Sequence, residues 1–184
     1  AVEILSSKGE TVVLNVEGPF TIITSLVDSR VFYKAIRNNK EMVYEFLKVM
    51  EDNIMKSMKE GIDRGAKIIS YGDPVGSKDI VGPKVYKEFS GKSTYNILKH
   101  MEDKLDDSIM HICGKTSTAF QNMGFVESHP IKFEGDITYG HAIDYILENR
   151  KDINIIGHNC IKKTPLKLKN STLWSIEFMG QWGQ

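Results

Sequence analysis

The chain has 184 residues, of which 41% are hydrophobic and 26% are charged, a size that fits a single domain over residues 1–184. Its 24 basic and 24 acidic residues cancel to a formal net charge of zero, which argues against a nucleic-acid partner, because such proteins usually carry a basic excess. The hydrophobic fraction is too high for a disordered chain, and no apolar run approaches the roughly 18–20 residues that cross a membrane.

Strand patterns alternate with helical patterns along the chain. β-branched and apolar runs predict five strands, over residues 11–18, 66–73, 108–114, 130–135 and 152–157. Apolar spacings of three and four, together with helix stop signals, predict helices over residues 31–62, 84–89, 94–105, 117–123 and 141–149. This order predicts a parallel sheet covered by helices, either open and doubly wound or closed into a barrel. Residues 164–184 fit neither pattern, although we expect Trp174 and Trp182 to pack against other side chains.

Two His-x-Cys pairs follow predicted strands. The third strand ends in His111-Ile-Cys113, and the loop after the fifth contains His158-Asn-Cys160. Side chains two apart in a strand share a face, so His111 and Cys113 should project together at the carboxyl end of the strand, where α/β folds build active sites. Imidazole and thiolate are favoured zinc ligands, and His111, Cys113 and Cys160 would leave zinc open to substrate, whereas His158 would close the site. The alternative is that the cysteines are small buried residues and the histidines are hydrogen-bonded.

Two cysteines are too few for a disulfide scaffold in a chain of this length. We therefore expect both to be reduced thiols in a cytoplasmic protein.

Carboxylates follow the first and second predicted strands. Glu17 precedes Gly18-Pro19, and Asp73 precedes Pro74. At one edge of the sheet they could act as metal ligand, general acid or substrate anchor. Their alternative roles are a turn-stabilising aspartate and a helix-capping or solvated glutamate. The other histidines fit surface or structural positions better; they are His100, His129 and His141.

Several segments resemble motifs of the uroporphyrinogen decarboxylase superfamily. Residues 73–89 (Asp-Pro-Val-Gly-Ser-Lys-Asp-Ile-Val-Gly-Pro-Lys-Val-Tyr-Lys-Glu-Phe) resemble its Asp-Pro, then Ser, then Ile-Ser-Pro-x-x-x-x-x-Phe stretch. Residues 17–21 (Glu-Gly-Pro-Phe-Thr) resemble its Gly-Pro-Phe-Thr segment. Residues 111–116 (His-Ile-Cys-Gly-Lys-Thr) resemble the His-x-Cys-Gly-Asn-Thr motif of the cobamide-dependent methyltransferases, and residues 164–166 resemble the Thr-Pro-Leu that closes their last cysteine motif. Decarboxylases proper lack the zinc-binding His-Cys pair, so this pair favours the methyltransferase branch.

The resemblance implies an enzyme that moves a methyl group from methylcobalamin, held by a separate corrinoid protein, to a thiol such as coenzyme M or to another small acceptor. It implies zinc as a cofactor, which lowers the pKa of the acceptor thiol so that a thiolate is available at neutral pH. We also expect catalytic roles for Glu17 and Asp73, and cofactor binding by Asp73 and Gly114.

By the motif match, His111 and Cys113 are the first two zinc ligands. The family's last cysteine stands six residues before the threonine of Thr-Pro-Leu, a place that His158 occupies here, whereas Cys160 stands four before Thr164. We prefer Cys160 as the third ligand, because two thiolates make the zinc more electron-rich and the bound thiolate more nucleophilic.

The fold that the resemblance implies is a (β/α)₈ TIM barrel, with the five predicted strands as strands four to eight. The chain would then be the C-terminal portion of such a barrel, either a fragment or an incomplete barrel that another chain or copy completes. As a fragment it could keep the zinc ligands without full activity. Two other functions stay open: a decarboxylase-like enzyme acting on a tetrapyrrole, and a non-catalytic module that binds corrinoid or zinc.

Overall fold

The computed structural model of the chain describes residues 1–180, and Trp182 lies outside the described residues. The helices in this range are α1 (Val2–Ser6), α2 (Pro19–Leu26), α3 (Ser29–Asn38), α4 (Lys40–Asp63), α5 (Lys78–Val85), α6 (Gly91–Met101), α7 (Gly114–Asn122) and α8 (Tyr139–Asn149). The strands are β1 (Val13–Glu17), β2 (Ile68–Gly72), β3 (Ile109–Ile112), β4 (Val126–Lys132), β5 (Ile155–Gly157) and β6 (Thr172–Phe178).

The strands form one mixed sheet in the order β1-β2-β3-β5-β6-β4. β1, β2, β3 and β5 run parallel, as predicted, with Leu14 beside Ile69 and Met110 beside Ile155 in register. α4 lies between β1 and β2 in the chain, and α6 lies between β2 and β3, so each returns the chain to the start of the next strand. The carboxyl ends of the four parallel strands therefore meet at one edge of the sheet, which we call the carboxyl edge.

A strand is present where residues 130–135 predict one, but its bounds and direction differ, since it covers Val126–Lys132 and does not run parallel between β3 and β5. β4 begins at Val126 and pairs antiparallel with β6, from Val126 beside Phe178 to Lys132 beside Thr172. β5 pairs with β3 on one side and antiparallel with β6 on the other. The unassigned residues 172–178 supply a partner as long as β4 itself, which satisfies far more backbone groups of β4 than the three-residue β5 could.

The predicted helix over residues 31–62 is two helices. Asn39 interrupts it with an extended backbone (φ −150°), and its side-chain oxygen accepts a hydrogen bond of 3.3 Å from the Met42 amide, which caps α4. α4 then runs for 24 residues. Neither α4 nor another helix within residues 1–180 is long and apolar enough to cross a membrane.

One face of the sheet is covered by α4, α6 and α7. Met58 of α4, Leu98 of α6 and Phe120 of α7 belong to one buried cluster with Ile69 and Ile112 of the sheet. These residues recur at helical spacing on the helices and at every second position on the strands. The amphipathic pattern of the sequence therefore determines which side of each of these helices packs against the sheet.

The opposite face of the sheet is covered by α8. Tyr139, Ile143 and Ile146 of this helix form a second buried cluster with Ile109 and Ile156. In a closed barrel, the face opposite the connecting helices is the interior, which side chains from the strands fill. A helix occupies that face here, and within residues 1–180 β1 and β4 end the sheet without pairing with each other. The described fold is therefore an open α/β sheet with helices on both faces.

Candidate functional site

The carboxyl edge brings together side chains that are far apart in sequence. Asp73 follows β2, Cys113 follows β3, and His158 and Cys160 follow β5. The loops after β3 and β5 are joined directly, since the Gly114 amide donates a hydrogen bond of 2.9 Å to the Asn159 carbonyl. A Cβ at Gly114 would lie only 3.1 Å from the backbone of His158, so the glycine lets the two loops approach.

His111 lies within β3, on the face that α8 covers, and only 1% of the residue is exposed. Its Nδ1 lies 3.2 Å from the Ser70 hydroxyl on the neighbouring strand, which fixes the ring. Burial lowers the pKa of His111 to about 4. Its buried Nε2 has no hydrogen-bond partner within residues 1–180.

Cys113 and Cys160 are both free, partly buried thiols. Cys113 is the N-cap residue of α7. Gly72 on β2 leaves room beside it, because a Cβ there would lie 3.3 Å from the Cys113 Cβ. Cys160 lies just before a turn of 3₁₀ helix over Ile161–Lys163.

Tyr139, the first residue of α8, completes this part of the carboxyl edge. Its ring centroid lies 6.0 Å from that of His111, and only 1% of the residue is exposed. Burial raises the pKa of Tyr139 well above its usual range, and the nearby Cys160 and Cys113 add to this rise. Its hydroxyl, like His111 Nε2, has no hydrogen-bond partner in the described part of the chain.

The candidate donor side chains of the described residues are not gathered around a common point. In residues 1–180, no group of three His, Cys, Asp or Glu side chains lies close enough to hold a metal ion. The donor types themselves fit zinc, since one imidazole nitrogen and two thiols form a usual ligand set.

His158 lies at the same edge, but both of its ring nitrogens lie within hydrogen-bond distance of hydroxyl groups. Its Nε2 lies 2.6 Å from the Ser128 hydroxyl, and its Nδ1 lies 3.2 Å from the Thr118 hydroxyl. The ring also meets Trp174 edge-on at 5.8 Å, so Trp174 packs as expected. These contacts join β4, α7 and β6 through His158, which sits in a left-handed backbone conformation (φ 63°).

Asp73 is buried, and its carboxylate accepts hydrogen bonds from residues at the start of α2. Thr21 donates to it through its amide at 2.9 Å and its hydroxyl at 2.6 Å, and the amides of Phe20 and Gly76 each donate at 3.1 Å. Burial raises the pKa of Asp73, and these hydrogen bonds counter the rise. The structure therefore shows Asp73 joining the segments that follow β1 and β2.

The other residues singled out from the sequence lie apart from the two cysteines. Glu17 is exposed at the end of the edge strand β1. His100 and His141 are exposed on helices, and His129 lies on the surface 3.5 Å from Glu177.

Sequence reasoning missed three residues of this site. Tyr139 and Gly72 gave no signal, because their proximity to the cysteines depends on how α8 and β2 pack. Ser70 did give one: it is a polar residue in a strand whose neighbours Ile69 and Tyr71 are apolar and buried.

Comparison with known proteins agrees with the motifs. The model of the uroporphyrinogen decarboxylase (URO-D) family matches residues 1–158. A methylcobamide:CoM methyltransferase, MtaA of Methanosarcina barkeri (strain Fusaro), is 24% identical over 107 residues, which cover 58% of this chain and 31% of that protein. Another, MtbA of Methanosarcina acetivorans, is 24% identical over 161 residues, which cover 86% of this chain and 46% of that protein.

The chain thus spans less than half the length of these relatives. No solved structure matches it. The family match covers most of the chain and includes the His111-Ile-Cys113 motif, which confirms the resemblance found in the sequence. The protein belongs to the uroporphyrinogen decarboxylase family and, within that family, is similar to the methylcobamide:CoM methyltransferases.

Proposed function

We propose that the protein takes part in methyl transfer from a corrinoid to a thiol acceptor, with His111, Cys113 and Cys160 holding a zinc ion for that reaction. The names of the related proteins support the reaction class, since they are methyltransferases for a methylcobamide and CoM. The corrinoid would be carried by a separate protein, and the acceptor would be a small thiol such as coenzyme M.

The main observation in support of this proposal is that the buried Nε2 of His111 has no hydrogen-bond partner within residues 1–180. Buried side-chain nitrogens nearly always have a partner, and one without a partner calls for an explanation such as an ion. Cys113 lies two residues further along the chain, at a position that shares the face of His111, and Cys160 belongs to the adjoining loop.

Cys160 is the better third ligand. Both ring nitrogens of His158 already lie within hydrogen-bond distance of hydroxyl groups, whereas Cys160 is a free, partly buried thiol. Using His158 instead would break its contacts with Ser128 and Thr118.

Bound zinc would supply a Lewis acid that lowers the pKa of an acceptor thiol. Several residues of the chain would position the ligands and leave space for the ion. Ser70 fixes the His111 ring, Gly72 leaves room beside Cys113, and the partial exposure of both cysteines gives a small acceptor access from the carboxyl edge.

Metal analysis of the purified chain and its variants tests this proposal. We expect about one zinc per chain in the wild type, and loss of zinc in both Cys113→Ser and Cys160→Ser. Lys162→Ser, a change in the same loop as Cys160, should leave the zinc content unchanged. Methyl transfer from methylcobalamin to coenzyme M should follow the zinc content across the same set.

Three outcomes would contradict the proposal. A wild-type chain without zinc would exclude the metal site, and full methyl transfer by metal-stripped protein would exclude a role for zinc. Decarboxylation of a porphyrinogen by the metal-free chain would instead support the decarboxylase-like alternative.

A further inference from the structure

An apolar groove lies on the surface between the helices α3 and α4. The two helices pack side by side, since Phe32 of α3 and Val43 of α4 belong to one buried cluster. The groove above this contact has a volume of about 170 Å³, and every side chain that lines it is apolar, including Val31 of α3 and Phe46 of α4. The interior packing of these helices therefore leaves an apolar surface uncovered.

α4 carries a second apolar stripe beside the one that faces the core. Val43 and Leu47 belong to its buried stripe. Met42, Phe46 and Val49 also recur at spacings of four and three, and each is 43–53% exposed. A helix that packs on one side needs only one such stripe, so the second stripe indicates a further packing surface.

The exposed apolar surface continues beyond α4. Leu26 and Val27, at the end of α2, and Val31 of α3 are 37–71% exposed. Together with the outer stripe of α4 they form a patch of roughly a few hundred Å², a size at which surface patches often mark interaction sites.

The two sides of the groove carry opposite charges. α3 contains Lys34 and Arg37 and no acidic residue, whereas the first half of α4 exposes Glu41 and Glu45. Within residues 1–180, none of these four side chains forms an ion pair. Arg37 and Glu41 are both close to Asn39, which joins the helices, and Lys34 and Glu45 are each about one turn further away.

We propose that this groove is the interface of a symmetric dimer of the chain. A two-fold axis parallel to the two helices places α4 of each copy over α3 of the other. The outer stripe of α4 then packs against the groove of the second copy, and Glu41 and Glu45 of one copy face Arg37 and Lys34 of the other.

A second copy fits this surface because it supplies both the apolar side chains and the opposite charges. The apolar patch and the charged side chains beside it together approach the roughly 800 Å² per partner that a stable interface buries. The dimer requires no metal ion, so this inference is independent of the proposed function.

Sedimentation equilibrium of the full chain tests the dimer. We expect the wild type to be dimeric at micromolar concentrations, and we expect Phe46→Ser to weaken the dimer at least about tenfold, because aromatic side chains at the centre of an interface contribute most to affinity. Tyr145→Ser removes an aromatic ring of similar exposure from α8 and should leave the dimer unchanged. Thermal unfolding provides the check that each variant is folded.

Charge reversal tests the arrangement of the two copies. Lys34→Glu and Glu45→Lys each place like charges across the interface, so either change alone should weaken the dimer about three- to tenfold. An equal mixture of the two variants should form heterodimers as tightly as the wild type, because each copy then meets the opposite charge. Lys92→Glu, an exposed change on α6, should have no effect.

Three results would overturn the inference. One is a wild-type chain that remains monomeric over the whole concentration range. Another is a dimer that a folded Phe46→Ser variant leaves unchanged, since that dimer would use a different surface. The third is a mixture of Lys34→Glu and Glu45→Lys that associates no better than either variant alone, because the opposite charges would then not meet between copies. This last result can be read even where Phe46→Ser does not fold, since both charged side chains are exposed.

Discussion

The Asp73 carboxylate caps a helix that begins more than 50 residues earlier in the chain. Its hydrogen bonds from Phe20 and Thr21 satisfy amide groups in the first turn of α2, which have no partner within the helix. A negative charge at this place is also stabilised by the helix dipole. The motif residues that suggested chemistry thus form a structural contact between the segments that follow β1 and β2.

We expect Asp73→Asn to destabilise the protein by about 1–3 kcal/mol, because its amide group cannot accept every hydrogen bond that the carboxylate accepts. Urea denaturation measures this change. Asp144→Asn alters an exposed carboxylate of α8 and serves as the control, for which we expect almost no effect. An unfolding midpoint for Asp73→Asn equal to that of the wild type would exclude the capping role.

Glu51 is a carboxyl group buried between two helices. It lies on α4, only 8% exposed, and the Asn96 side chain of α6 donates to it at 3.4 Å. Burial raises the pKa of Glu51 above its ordinary value of 4.5, while hydrogen bonds from Ser93 and Asn96 counter part of the rise. The folded state therefore binds a proton at a higher pH than the unfolded state does.

This difference gives stability a defined dependence on pH. The contribution of Glu51 is fully present below pH 4.5 and is lost as the pH rises through the raised pKa of the folded state. We expect Glu51→Gln to have a higher Tm than the wild type at about pH 7, with the difference disappearing near pH 4. Glu45→Gln, an exposed change on the same helix, should track the wild type at every pH. A lower Tm for Glu51→Gln at neutral pH would contradict the assignment.

At the scale of elements, β6 holds the second half of the sheet together. It pairs with β4 over its whole length and with the end of β5, so it links two strands that do not touch each other as neighbours in the sheet. Leu173 packs under α8, while Ile176 and Phe178 pack on the opposite face. Without β6, β4 would have no strand beside it within residues 1–180.

Leu173→Ala tests the importance of β6, because Leu173 is fully buried beneath α8. We expect a loss of about 2–4 kcal/mol in the free energy of unfolding, from the lost burial and the cavity that remains. Leu166→Ala removes the same atoms at a site that is 56% exposed and should cost far less. Equal effects of the two changes, measured by chemical denaturation, would show that β6 contributes little to the core.

The position of α8 on the sheet is the second feature that depends on how whole elements pack. Its amphipathic face is visible in the sequence, and the predicted helix over residues 141–149 differs from α8 only by two residues at the start. The sequence does not show which face of the sheet this helix covers. That choice places Tyr139 beside His111, so the packing of one helix decides the composition of the candidate site.

At the scale of the whole molecule, the parallel strands and their order along the chain agree with the family, but the sheet is open. Barrel closure requires the first and last strands to meet, and here β1 and β4 lie at opposite ends. The antiparallel β4 and β6 occupy the end of the sheet next to β5, and α8 fills the face that closure would turn inward. The carboxyl edge is present without barrel closure, because it depends only on β1, β2, β3 and β5 being parallel.

The sequence by itself determined the alternation of strands and helices, the family, and the meeting of the two His-x-Cys pairs at one edge. Each of these rests on local patterns: the periods of strand and helix, motif spacing, and the rule that parallel strands end at the same edge. Local patterns of this kind are present in the sequence itself and do not depend on contacts between distant segments.

Only the tertiary structure decided the strand order, the face covered by α8, and the hydroxyl groups that the His158 ring contacts. These depend on contacts between segments distant in sequence, such as Ser128 with His158 and Tyr139 with His111. Local patterns do not contain such contacts, because pairing and packing are selected by the free energy of the whole chain. The His158 side chain thus contacts hydroxyl groups, while the buried Nε2 of His111 has no hydrogen-bond partner within residues 1–180.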